Sequence, residues 1–470
     1  MPDDQPVTLS KLAMMKSRFA QFSSHGIVRA TSILVGGTVL GNLVTAASMP
    51  VVTRLYTPDQ MSVLAVFGSI LQTLYVSVCL RFDIALSITD SDEEAVNLLA
   101  LGASFAVLLS TLTAVVLLFV PDSAYARFGY PSLAGLIWLL PPALAFAGFY
   151  SLMQMWFVRR KAFGPIARSR LAQSAGSAAT QIGLGFAQVG AFGLLLGYAV
   201  NTGAGTLLLG ARFLRREGEL FRSASLARMR RLFVEYRRFP TYSAPEALAQ
   251  VAGWQVPIVL IAGLAIGPEA GFLTLAMFVI QAPMSLLGNA LGQVYLSEAP
   301  TRNRVGELGV FTIEIIGGLL KIGVGPLLAI GIVSPAAFAF VFGADWARAG
   351  VLVLWLTPWF ALQLLVAPVA MSLHITSHQR LALIAQLFGL VLRLGLVTGV
   401  GLWMPRYISE AYAISGAIFY LVYLLIILKV VGAPISDFLA AVRRALPPIL
   451  GFVVLGVLGA VAALWIDTVL

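Results

Sequence analysis

Apolar residues arrive along this chain in long unbroken runs, not in the alternation of a half-buried strand. Thirteen such runs, from Ile27–Val52 and Met61–Ile88 through Leu171–Val189, Ala191–Leu209 and Tyr242–Ile266 to Ile408–Leu428 and Ile449–Ile466, reach the ~18 residues that carry an α-helix across a bilayer. They predict an all-α, polytopic membrane protein with about 12–14 transmembrane helices. One stretch differs. Between the sixth and seventh runs, Leu226, Met229, Phe233 and Tyr236 recur at three and four residues among Arg228, Arg230, Arg231, Arg237 and Arg238, the pattern of an amphipathic helix lying on an anionic leaflet.

Composition agrees with solvation by lipid. Of 470 residues 59% are hydrophobic and 11% charged, against about 25% charged in a soluble domain. A single buried core stops growing at roughly 250–300 residues, so the surplus is not one large core. A soluble enzyme, a secreted domain and a single-anchor receptor are excluded. The net charge of +10 would suit a nucleic-acid partner only if it were spread over a wet surface. Instead, with the N-terminus inside, 24 of the 31 Lys and Arg fall on the inner side and only Arg54, Arg127, Arg348 and Arg406 on the outer loops. Positive loops stay in the cytoplasm, so the charge reads as topology and no nucleic-acid partner is expected. The lone Cys79, inside a run, allows no internal disulfide.

The basic linker divides the chain into a cytoplasmic segment 1–26, a six-helix lobe 27–210, the linker 211–239, a second six-helix lobe 240–430, and a tail 431–470 with an extra helix. Pro58-Asp59 and Pro268-Glu269 open corresponding runs in the two halves. Two repeats with an even number of spans share one orientation, giving parallel bundles with the substrate site expected between them.

Chemistry is sparse. No G-x-x-x-x-G-K-[ST] occurs, which excludes a nucleotide-hydrolysing P-loop. His374 and His378 lack a nearby third ligand, so no metal site is expected, and neither is a cofactor or a catalytic constellation. The outer loops are too short for a folded active site. What remains is charge within the spans, costly there and a sign of function. Lys321 and Arg393 fall near the midplane of their runs. Arg29, Arg81, Asp83 and Glu246 lie closer to the cytoplasmic face, where snorkelling is an equal explanation. Arg81 and Asp83, two apart on a helix, point to different sides, so each needs a partner from elsewhere. Glu314, seven residues before Lys321 on the same face, is the structural alternative for that lysine.

Three stretches carry a family resemblance: TRLYTPDQMSVLAVFGSILQTL from Thr53 with LRFDIALSITDSDEEAVNLLAL from Leu80, the segment from Phe239 to Pro300 opening on FP-x-Y-x-x-P, and FVFGADWARAGVLVLWLTPWFALQLLVAP from Phe340. They resemble the polysaccharide flippases of the Wzx type, in the multidrug/oligosaccharidyl-lipid/polysaccharide (MOP) exporter superfamily. The resemblance implies two lobes around a V-shaped cavity. It also implies transfer of an undecaprenyl-pyrophosphate-linked oligosaccharide from the inner to the outer leaflet of the bacterial inner membrane. Expected partners are that lipid-linked oligosaccharide and anionic membrane lipids, with a polysaccharide polymerase and a chain-length regulator as candidate protein partners. Arg29, Arg81, Lys321 and Arg393 are then cavity candidates, and Asp83, Glu246 and Glu314 candidates for ion coupling or charge pairing. Cation-coupled drug export, as in the related antiporters, is the alternative, and an integral-membrane enzyme of cell-envelope assembly a third.

Overall fold

The computed structural model describes residues 36–89, 91–127 and 130–469. Arg29 and the start of the first apolar run lie outside the described residues. Among the described residues all regular structure is helical: α1 (36–55), α2 (Pro58–Tyr75), α3 (Asp92–Leu118), α4 (Leu133–Arg159), α5 (Phe163–Phe186), α6 (Ala191–Ser223), α7 (Leu226–Glu235), α8 (Phe239–Leu264), α9 (Glu269–Arg304), α10 (Leu308–Phe342), α11 (Ala344–Ile375), α12 (Gln379–Trp403), α13 (Pro405–Val430) and α14 (Ile435–Val469). Nine of these, α3, α4, α6, α8 and α10 to α14, are long and apolar enough to cross a membrane. Only 6% of the most apolar stretch of α14 is buried, as expected of a helix solvated by lipid.

Local chemistry sets the boundaries. Thr57 accepts from Gln60 N and the Gln60 side chain accepts from Thr57 N, a capping box that starts α2 with Pro58 in its first turn. Ser91 caps α3, and Asp92, Glu93 and Glu94 complement the positive end of its dipole. Gly190, at φ +67°, lets α5 fold back into α6 as the short hairpin loop requires.

The second apolar run, expected as one helix to Ile88, is broken. Leu80 and Arg81 have φ of +46° and +64°, and a short helix Phe82–Ile88 follows. Arg81 therefore caps a helix and is not inside one. A second departure is a widened turn at Leu320–Val324 within α10, which displaces Lys321 from regular helical register.

Each half packs around its own helices: α3 on α4, α5 on α6, and α6 on α2 and α4 in the first; α10 on α11 and α14, and α13 on α11 and α12 in the second. Small residues permit the close crossings that lipid-embedded helices use, as where Gly416 lies against the Trp359 ring. The halves meet through α2, which packs on α8 and α9. Their specific contacts cluster at one end of the molecule. Ser62 Oγ accepts from Gly271 N at 2.8 Å, Trp346 Nε1 donates to Thr53 O at 2.8 Å, and Arg54 Nη2 donates to Phe340 O at 3.0 Å. At the opposite end the start of α8 stays uncovered, with Tyr242, Glu246 and Gln250 exposed. Two bundles held at one end and uncovered at the other make the V-shaped architecture.

The amphipathic helix forms as α7, but it is docked on protein. Buried Asn97 of α3 donates to Ser223 O and accepts from Ser225 N, fixing the chain just before α7. The Phe233 ring lies 5.9 Å from those of Phe82 and Phe105, and Arg228 pairs with Glu93 at 2.8 Å. The apolar stripe that suggested a lipid surface serves in good part to cover the end of the first lobe.

Candidate functional site

Where the lobes part, a cavity of about 270 Å³ opens in the first lobe. Thr38, Asn42 and Thr45 come from α1, Tyr150 from α4, Arg170, Gln173 and Ser174 from α5, Asn201 from α6, and Phe278 reaches over from α9 of the other lobe. Glycines bring the walls together: a Cβ at Gly37 would meet that of Ala167 at 2.5 Å, and one at Gly41 would meet Ser174 Oγ at 2.9 Å. That close approach lets Arg170 Nη1 donate to Thr38 Oγ1 at 3.1 Å. Gln173 is buried, and its Nε2 has no hydrogen-bond partner among the described residues, a polar group held ready at a cost of about 1–3 kcal/mol.

Among the described residues the lining holds one cation, several amides and hydroxyls, two aromatic rings and no carboxylate. A guanidinium presents a rigid fork that matches phosphate oxygens. Amides and hydroxyls can both donate and accept toward sugar hydroxyls. The set complements an anionic, polyhydroxylated group.

Arg170 does not stand out in the sequence. The apolar run begins at Leu171, which places Arg170 among the 24 inner-side charges. The helix begins eight residues earlier, at Phe163. A signal did exist: Gln173, Ser174 and Ser177 form a buried polar stripe on α5 that no loop explains.

The residues singled out from the sequence lie in four separate places. Asp83 is buried and accepts from Ser151 Oγ at 2.6 Å, so its partner is on α4, while its Oδ1 and the Arg81 Nε have no hydrogen-bond partner among the described residues. Glu246 is exposed on the uncovered end of α8. Lys321 and Glu314 are both exposed on α10, and among the described residues no ion pair joins them. Arg393, on α12, is 3% exposed inside an aromatic box, its guanidinium carbon 5.0 Å from the Trp254 ring, 5.3 Å from Trp359 and 4.7 Å from Phe419. Desolvated cation–π contacts contribute ~2 kcal/mol or more, which accounts for a buried guanidinium whose Nε and Nη2 lack hydrogen-bond partners among the described residues. The structure does not bring Lys321 and Arg393 together: α10 packs on α11 and α14, whereas α12 packs on α8 and α13.

A second cluster centres on Arg348, which the sequence pattern places on an outer loop. Arg348 Nε lies 2.8 Å from Glu269 Oε1, and its Nη2 lies 2.7 Å from Glu410 Oε1. Ser409 Oγ adds a bond to Glu269 Oε2 at 2.6 Å. The cluster ties together the first turns of α9, α11 and α13, two residues from the Gly271 contact between lobes. Among the described residues no group of three or more His, Cys, Asp or Glu is placed to hold a metal ion.

Residues 51–351 match a family described as "Polysaccharide biosynthesis protein". No curated protein matches the sequence. Among solved structures, the chain is similar to a lipid II flippase MurJ in an inward closed conformation, with a TM-score of 0.66 at 13% identity over 94% of this chain and 98% of that one. It is also similar to an inward-facing multidrug resistance MATE family transporter of the MOP superfamily, with a TM-score of 0.58 at 13% identity over 87% of this chain and 95% of the other. A eukaryotic MATE transporter, AtDTX14, gives a TM-score of 0.55 at 15% identity over 89% and 100%. Likeness at that identity shows the shared fold, that of the MOP superfamily.

Proposed function

The chain belongs to the polysaccharide biosynthesis protein family, and on that premise we propose that it is a flippase, moving a lipid-linked oligosaccharide repeat unit from the inner to the outer leaflet of the bacterial cytoplasmic membrane. The single observation that carries the substrate class is the lining of the α1–α5 cavity: among the described residues, one guanidinium, amides and hydroxyls, with no carboxylate. A transported organic cation would need a carboxylate there, so the drug-export reading is less well served. A pyrophosphate carrying sugars finds an anion site and hydrogen-bond partners in one place.

Mechanistically, the lobes are in contact at the end around Ser62, Gly271 and Trp346 and apart at the other. With the inside-positive orientation, the open end faces the cytoplasm. The headgroup enters between the lobes while the polyprenyl chain stays in lipid. Arg170 offsets the desolvation of the pyrophosphate, which is large for any buried anion. Separation of α2 from α9 at the outer end, with closure at the inner end, would expose the same pocket to the other side. That is alternating access of two parallel bundles.

The test is deletion of the gene in a cell that makes a surface polysaccharide. The completed lipid-linked repeat unit is expected to accumulate facing the cytoplasm while the surface polymer is lost. If the repeat unit is not made at all, the protein acts in synthesis and the flippase reading falls.

A further inference from the structure

Between α5 and the second half of α6 lies a cleft of about 570 Å³, lined by Arg168 and Ser169 on one side and Leu208, Arg212, Arg215 and Arg216 on the other. Four guanidiniums converge on it. Among the described residues no carboxylate lies within ion-pair distance of any of them, and the adjacent acid Glu217 is already held by Arg160 at 2.7 Å. The negative end of the helix Gly205–Glu217 helps to accommodate Arg215 and Arg216, which lie in its last turn. Arg168 and Arg212 gain no such help. Like charges gathered around a concavity without a counter-charge favour an anion there.

The border of the cleft states what kind of anion. Leu208, 53% exposed, lines the cleft, and Leu207 and Leu214, 64% and 63% exposed, share a helical face with the lining residue Ala211, an apolar margin beside the basic floor. A soluble phosphate gains nothing from that margin, whereas an acyl chain does. Arg168 and Arg170 are two apart on one helix and so face different directions, which separates the cleft from the α1–α5 cavity.

We propose that this cleft is a site for an anionic phospholipid of the adjoining leaflet, its phosphate held by Arg168, Arg212 and Arg215 and its acyl chains against the leucines. The site sits on α5 and α6, the two helices that carry Arg170, Gln173 and Asn201 into the cavity. A bound lipid braces those helices against each other, so occupancy and cavity shape are linked. The inference does not depend on the identity of the transported molecule.

The full-length protein, purified in a neutral detergent, is titrated with phosphatidylglycerol, phosphatidylethanolamine and inorganic phosphate, with binding read by native mass spectrometry and by thermal shift. Phosphatidylglycerol is expected to bind and to raise the melting temperature, and the other two are not. Each cation near an anionic lipid contributes about a fivefold factor, so Arg168→Gln, Arg212→Gln and Arg215→Gln together should weaken binding by roughly a hundredfold. The same three positions changed to Lys keep the charge and should retain most of the binding, which guards against loss through misfolding. Changing Arg222, Arg230 and Arg237 to Gln removes equal charge elsewhere and should have little effect. Equal loss in that control would make the effect non-specific. An equal response to phosphatidylethanolamine, or to millimolar phosphate, would also overturn the site.

Discussion

Gly271→Ala is expected to open the end of the molecule where the lobes meet. Gly271 is buried at the start of α9, its N–H donating to Ser62 Oγ at 2.8 Å. A Cβ there would press on the Pro58 carbonyl oxygen and lie 2.8 Å from Ser62 Oγ and 2.9 Å from Ser62 N. Two of those three atoms are backbone and cannot rotate aside, so α2 and α9 must separate. Overpacking costs about 1–3 kcal/mol and the strained hydrogen bond about 1 more. Because the penalty exists only while the lobes touch, the ratio of closed to open forms should fall by roughly 30- to 1,000-fold. The assay uses Ser69→Cys in a Cys79→Ala background. Ser69 is buried, seven residues along α2 from Ser62 and so on the same helical face. A membrane-impermeant maleimide added from outside should label it slowly in the parent and much faster with Gly271→Ala. Unchanged labelling in a well-folded variant would show that this contact does not hold the outer end shut. Labelling only from the cytoplasmic side would reverse the assigned orientation.

Other residues give separate tests. Arg170→Ala should cut transport by roughly 10- to 150-fold, the worth of a charge-assisted hydrogen bond, with Arg170→Lys intermediate; normal transport in the alanine variant would remove the cavity from the mechanism. Arg348→Met should lower thermal stability by about 3–5 kcal/mol by stranding Glu269 and Glu410, and adding Glu269→Gln with Glu410→Gln should restore it; a single variant that melts like the parent refutes the cluster's structural role. Lys321→Ala should leave the amount of folded protein unchanged, since the side chain is exposed and unpaired with Glu314, and a fall rescued by Glu314→Gln would contradict the geometry. Arg393→Met should keep the fold, because it removes a buried cation that has no carboxylate partner among the described residues, and a severalfold drop in membrane abundance would show that the aromatic box needs its charge.

Solvent class was legible in the sequence alone. Runs of about 20 apolar residues admit few structures in lipid, since each backbone polar group must be satisfied within its own segment. All-α architecture and many spans follow from that one constraint. The motifs from Thr53, Phe239 and Phe340 sufficed for the family; those at Thr53 and Phe340 supply contacts between the lobes, whereas the one at Phe239 opens α8 at the uncovered end. Tertiary structure decided which polar groups meet. Arg170 enters the cavity because α5 begins at Phe163 and packs on α1 through Gly37 against Ala167 and Gly41 against Ser174. Arg348 read as an outer-loop residue until α9 and α13 delivered two carboxylates to it. The rings around Arg393 come from α8, α11 and α13, three segments far apart in the chain. Hydropathy is summed along one helix and so survives in one dimension. A partnership between α5 and α1, or α11 and α13, depends on crossing points between segments far apart in the chain, and no spacing within either segment encodes them.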